Sequence, residues 1–278
     1  MTLQDAIKQR HSVRRYISKP LTEDIVNALQ TKIEECNAEG QLHIQLVTQE
    51  TKAFSGIMFY GKFSGVENYF VMVGKDTDDL DEKIGYYGEQ LVLLAQTLGL
   101  NTCWAGLSYR KVSNAYQVNK GEKLTCMIAL GYGQTQGVSH KIKTIEQVSN
   151  ADASTPAWFR KGVEAALLAP TAINQQKFRF VYMGGETSKR PKVSAQRLFS
   201  MVGYTQMDLG IAKLHFEIAA GKENFEWRNK KQAEYYSANF SAKYCPVYDA
   251  AHLATSSGVP HTTKLPPLSP PSGPRSIT

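Results

Sequence analysis

Hydrophobic spacing along this chain alternates between helical and strand-like. The plainest stretch is 81–99, where Ile84, Tyr87, Leu91, Leu94, Ala95 and Leu98 recur at helical spacing and Gly99 supplies a stop. A short helix over 2–9 is predicted by Thr2 with Asp5 behind it, a capping-box pattern, and should end between Arg10 and Ser12. Pro20 and Leu21 break the chain, after which Thr22 can cap a second helix running to roughly Glu35. Residues 42–47 alternate as a strand does, while 69–73 and 124–130 are continuous apolar runs of the buried-strand type. Residues 102–106 read as a short strand and turn, and Lys141-Ile142-Lys143 alternates as on a strand near the end of the first half.

A polar linker over 149–156 precedes a second run of elements. Residues 158–169 are helical in pattern, 170–176 form a turn, 178–182 a strand and 207–220 another amphipathic helix. Beyond Trp227 the pattern decays, and from Cys245 onward Pro, Ser, Thr and Gly dominate. Such a composition cannot bury enough apolar surface to offset its ordering entropy, so this tail is expected to be disordered or foreign to the native domain. The pattern therefore predicts an α+β chain in three parts: a first half over 1–150, a second over 151–227 and a tail over 228–278.

Composition narrows the classes. The chain has 278 residues, 42% of them hydrophobic, enough for one large domain or two small ones. The net charge of +7 suits anionic ligands such as nucleotides, or simply solubility. Its basic residues are scattered rather than massed, so nucleic acid is not the expected partner. Cys36, Cys103, Cys126 and Cys245 lie far apart without metal-ligand spacing, and Cys103 and Cys126 read as small core residues. With no signal-like start and no apolar run of membrane-spanning length, the expectation is a cytoplasmic, reduced protein without a membrane partner.

Four segments could carry chemistry. Arg10, His11, Ser12 and Arg14, at a helix-to-loop junction, offer charge-assisted donors suited to a phosphate, though such a cluster is also what a solvated helix end looks like. Lys141 and Lys143 could close on the same phosphate or protect a sheet edge. Pro170, Thr171, Ala172 and Asn174 offer a helix terminus, exposed backbone groups and an amide, fitting a flat polar-edged ring or an ordinary turn. Ala105 and Gly106, after Trp104, leave room for a planar ligand against the backbone, or else end a strand beside a core Trp.

Together the segments resemble one family, the FMN-dependent nitroreductases. Arg10-His11-Ser12-Val13-Arg14 resembles that family's N-terminal phosphate-binding motif. The stretch 85–107, with Ala95-Gln96-Thr97-Leu98-Gly99-Leu100-Asn101-Thr102-Cys103-Trp104, is similar to its central helix and the strand beside the flavin. Ile128-Ala129-Leu130-Gly131-Tyr132, followed by Lys141 and Lys143, is similar to its closing strand and basic clamp. Pro170-Thr171-Ala172-Ile173-Asn174-Gln175-Gln176 resembles its Pro-Ser-x-x-Asn-x-Gln turn, with Thr171 for Ser. The resemblance spans roughly residues 3–220.

One departure matters. In the family that turn follows the second helix, where this chain has Cys36-Asn37-Ala38-Glu39-Gly40-Gln41 instead. The resemblance is thus to a single-chain branch in which two related halves form an internal pseudo-dimer with one flavin per monomer. It implies a central, mostly antiparallel sheet flanked by helices. It implies FMN as cofactor, NAD(P)H as co-substrate and, by ping-pong exchange, a nitroaromatic or quinone-type small-molecule acceptor. By position, Arg10, Ser12, Arg14, Lys141 and Lys143, assisted by His11, would hold the phosphate and ribityl end. Pro170, Thr171, Ala172 and Asn174 would meet the ring, and the Ala105–Gly106 backbone the flavin N5 edge. No catalytic side chain or metal is implied. A flavin store or sensor, and a non-flavin α+β interaction module, remain open at this stage.

Overall fold

Thr2 and Asp5 form the expected capping box, the Asp5 N–H donating to Thr2 Oγ1 at 3.1 Å, and open helix α1 (Leu3–Gln9). The computed structural model describes residues 1–55, 63–185 and 190–228, so the expected tail lies outside the described residues apart from Arg228. Helix α2 (Glu23–Gly40) runs past the predicted end. Its last turn is fixed by tertiary contacts: Cys36 is buried, Gly40 faces the Tyr87 ring, and the Asn37 side chain bonds both the N–H and the carbonyl of Ile44. Gln41, in the left-handed region at φ 54°, ends it.

Of the strand expected over 42–47, only β1 (Gln45–Val47) pairs regularly, beside β2 (Asn68–Lys75). Helix α3 (Leu80–Thr97) ends before Gly99, whose φ of +79° supplies the predicted stop. Strands β3 (Asn101–Ala105) and β4 (Glu122–Gly131) complete an antiparallel sheet in the order β1-β2-β4-β3. The Lys141–Lys143 stretch is not a strand. It runs unpaired into a short helix α4 (Ile145–Val148), opened by a capping box between Thr144 and Gln147.

The second half carries helix α5 (Ala157–Leu167), a 3-10 turn (Ala172–Asn174) and strand β5 (Phe178–Tyr182). Strand β6 (Lys192–Arg197), helix α6 (Thr205–Ala220) and a short β7 (Glu226–Trp227) follow. Strand β6 pairs antiparallel with β5 and parallel with β7. The architecture is therefore α+β and mostly antiparallel, with its strands divided between two sheets.

Two packed cores meet along α3 and α6. One gathers Leu29, Ile33, Phe70, Met72, Ile84 and Leu91, the other Phe159, Phe178, Phe180, Val193 and Phe216, with the Phe180 and Phe216 rings stacked at 4.8 Å. The helix crossing is tight. A Cβ at Gly85 would overlap the Met207 carbonyl oxygen, and one at Gly210 the Glu82 carbonyl oxygen.

Candidate functional site

After α1 the chain runs beside β3. The Val13 N–H donates to the Thr102 carbonyl at 3.1 Å, the Tyr16 N–H to Ser64 at 2.9 Å, and the Tyr16 hydroxyl to the Val13 carbonyl at 2.7 Å. Side chains on this stretch alternate: Val13 enters the core, while Ser12 and Arg14 face a cavity of about 700 Å³. The end of β3 forms another part of the wall through Trp104, Ala105 and Gly106. Gly106 is needed there, because a Cβ would stand 2.6 Å from the Tyr204 ring.

The second half supplies the remaining wall through Pro170, Thr171, Ala172, Tyr204 and Asp208. The turn is strained, with Ile173, Asn174 and Gln176 at φ of 47°, 58° and 45°. It is held from two sides. On one, the Lys143 ammonium donates to the carbonyls of Gln175 and Gln176 at 3.0 and 2.7 Å, and the Lys141 carbonyl accepts from the side chains of Asn174 and Gln176. On the other, Asp208 accepts from the Ala172 N–H at 3.0 Å and from Gln175 Nε2 at 2.6 Å. Burial pushes the Asp208 carboxyl up to about 7, against the pull of those two donors.

The structure thus brings Ser12, Arg14, Ala105, Gly106, Pro170, Thr171 and Ala172 to one cavity. Arg10, His11, Lys141, Lys143 and Asn174 are not among its lining residues. Arg10 is 3% exposed, its Nε 3.6 Å from Glu89. Glu89 also accepts from Trp104 Nε1 at 3.0 Å and faces His215 Nε2 at 3.0 Å. His215 Nδ1 donates to the Ala165 carbonyl at 3.1 Å, so this buried cluster joins α1, α3, β3, α5 and α6 behind the Trp104 wall. Burial, then Arg10 and His140, hold the His11 imidazole below its ordinary range. Burial and Lys177 likewise lower the Lys143 ammonium, whose protons the turn carbonyls occupy.

Tyr204 and Asp208 are among the wall residues that sequence reasoning passed over. Asp208 had a signal: it is an acid in the apolar run Met207-Asp208-Leu209-Gly210-Ile211, on the face α6 buries. Among the described residues no cluster of His, Cys, Asp and Glu could hold a metal ion, and no helix is long and apolar enough to cross a membrane.

Fold and cavity together define an α+β protein with a cavity lined from residues 12–126 on one side and 170–211 on the other. The chain belongs to the nitroreductase family described as "Putative TM nitroreductase", whose pattern matches residues 2–220. A Thermotoga maritima structure described as a putative nitroreductase is 25% identical, with a TM-score of 0.53 over 79% of this chain and 83% of that one. A Desulfovibrio desulfuricans structure described as a putative nitroreductase in complex with FMN is 16% identical, with a TM-score of 0.45 over 56% of this chain and 99% of that one. No curated protein matches the chain.

Proposed function

We propose that this protein is an FMN-dependent oxidoreductase that moves a hydride from NAD(P)H to a nitroaromatic or quinone-type acceptor. The observation that carries the reading is the single cavity in which Ser12 and Arg14 meet Pro170, Thr171 and Ala172 across the Ala105–Gly106 strand end. Its volume, about 700 Å³, falls in the range of cofactor and ligand sites. The donor set fits FMN: a guanidinium and a hydroxyl for a phosphate, backbone and Thr hydroxyl groups for a polar ring edge, and a Cβ-free stretch for a flat face.

The halves 1–150 and 151–227 act in this reading as an internal pseudo-dimer with one flavin per chain. Two features support it. Helix, two strands, helix and strand recur in order as α2-β1-β2-α3-β3 and α5-β5-β6-α6-β7, and α3 packs along α6. When bound, the flavin supplies the hydride chemistry. Arg14 and Ser12 would hold its phosphate, Thr171 and Ala172 would orient its ring, and the Ala105–Gly106 backbone would lie beside the ring edge. Lys143 and Lys141 act one step removed, by fixing the strained turn. Tyr204, packed on Gly106, and Trp104, pinned by Glu89, keep water from that part of the wall.

Anaerobic addition of NADH or NADPH to the FMN-loaded protein tests the reading. Bleaching of the flavin absorption, followed by recovery on adding p-benzoquinone or nitrofurazone, is the expected result. Flavin that stays oxidised with both nucleotides overturns it.

A further inference from the structure

Resting on the flavin reading above, we propose that Asp208 is a positioning residue. Its ionised carboxylate clasps the 170–176 turn to the 198–204 loop and thereby sets how firmly FMN is held. Three hydrogen bonds carry the clasp. Oδ1 accepts from the Ala172 N–H at 3.0 Å, Oδ2 accepts from Gln175 Nε2 at 2.6 Å, and the same Nε2 donates to the Gly203 carbonyl at 3.0 Å. Both joined segments form the cavity wall, through Thr171, Ala172, Val202 and Tyr204. Both also hold backbone that needs an outside restraint. Ile173, a β-branched residue at φ 47°, is 70% exposed and so gains little from its own packing, and Tyr204 sits at φ 58°.

The hydrogen-bond roles make the clasp depend on ionisation. A carbonyl oxygen only accepts, so the Gly203 carbonyl requires the amide nitrogen of Gln175 to face it, and that nitrogen then requires Oδ2 to accept as well. Oδ1 accepts from a backbone N–H. Each oxygen accepts one bond and keeps a second lone pair, so a proton can be taken up, but the neutral acid loses the charge assistance that strengthens both bonds. The protonated acid gains a donor, and Gln175 Oε1, buried without a partner in the present arrangement, can accept from it once the amide turns. Turning it removes the donor from Gly203 and unties the loop. Burial places this titration near neutrality, at about 7. Arg14, Cys126 and Tyr204 are the other titratable groups of this wall, with Asp81 of α3 acting on Tyr204 and Lys143 bonded to the turn; the carboxyl itself answers to burial, the Ala172 N–H and Gln175.

FMN affinity, read by quenching of its fluorescence, is to be compared between the wild-type protein and D208N from pH 6 to pH 8.5. The FMN phosphate also titrates in this region, but equally for both proteins, so the difference isolates Asp208. If only the ionised clasp binds well, about a tenth of the wild-type protein is competent at pH 6. Its affinity then rises roughly tenfold more than that of D208N across the range, with D208N staying near the wild type's low-pH affinity. Parallel pH curves for the two proteins overturn the proposal. Hydrogen exchange at the Ala172 amide of the FMN-free wild type gives a reading that needs no variant. Protection relative to an amide in β4 is expected to rise as pH passes 7, and constant relative protection overturns the clasp. Absence of FMN binding in both proteins at every pH overturns the flavin reading, while the exchange profile still decides the clasp.

Discussion

Replacing Gly85 by Ala is expected to destabilise the protein although it improves the intrinsic preference of α3. A Cβ at this position would overlap the Met207 carbonyl oxygen and lie 2.9 Å from its carbonyl carbon and 3.1 Å from the Ile211 nitrogen. All three are backbone atoms of α6, so no rotamer change relieves the contact. Carbon contacts are optimal near 3.5–4.0 Å, so the helices must part by on the order of 0.5–1 Å, enough to forfeit a quarter to a half of the dispersion energy of the atoms they separate. Ile84, Leu91, Met207 and Ile211, all buried near the crossing, share that loss. Overpacking of this kind costs up to about 3 kcal/mol. Exchanging Gly for Ala in a helix returns about 1 kcal/mol. The net loss is then about 2 kcal/mol, read as a shift of the urea unfolding curve. Gly99→Ala separates clash from backbone strain. That glycine has φ +79° and nothing within 4 Å, so only the left-handed penalty of roughly 1–2 kcal/mol applies. A G85A protein as stable as wild type would refute the argument, because it would mean α3 and α6 do not meet backbone to backbone.

Other perturbations separate binding from stability. Arg14→Ala removes a charge-assisted contact worth roughly 1.5–3 kcal/mol and is expected to weaken FMN binding about ten- to a hundredfold while leaving thermal stability nearly unchanged, read by fluorescence titration and melting. Arg10→Ala is expected to do the reverse: it leaves the buried Glu89 without its guanidinium partner, with only Trp104 and His215 beside it, and costs up to about 3–5 kcal/mol of stability, and a variant that instead lost FMN with an unchanged melting curve would contradict the buried placement. The Asp208 carboxyl is raised from 3.8 to about 7, so the fold favours the neutral acid. Its stabilising contribution is therefore complete below pH 3.8 and lost as pH rises through 7, a decline on the order of 3–5 kcal/mol. In flavin-free protein D208N is expected to flatten that decline and to unfold later than wild type at pH 8; the reverse order of stability there would contradict the burial.

Long periodic elements were legible in the sequence because their own pattern decides them. Helix α3, strands β2 and β4, and the Thr2–Asp5 cap all stand where spacing put them. Helix α2 overran its predicted end because the Tyr87 ring, distant in sequence, packs on Gly40 and because the Asn37 side chain bonds Ile44, seven residues on. Strand β6 escaped notice because only Val193 and Ser194 of Lys192–Arg197 are buried, leaving no alternation to read.

The site divides along the same line. Ser12 and Arg14 share a side because the chain is extended there, whereas Arg10 belongs to the end of α1, where that alternation does not apply. Lys143 looks like a phosphate ligand in the sequence, but its ammonium runs to the carbonyls of Gln175 and Gln176 while the Lys141 backbone carbonyl accepts from Asn174 and Gln176, contacts that spacing along the chain does not reveal. Asp208 shows the opposite case, an acid inside an apolar run whose partners only the folded turn supplies.

The most direct test of the central claim is the flavin stoichiometry of the purified chain after loading with FMN and desalting, taken from its absorption spectrum. A site walled by both halves predicts flavin bands at one per chain. Retention of two flavins per chain would contradict the shared site, and no retained flavin would contradict the cofactor itself.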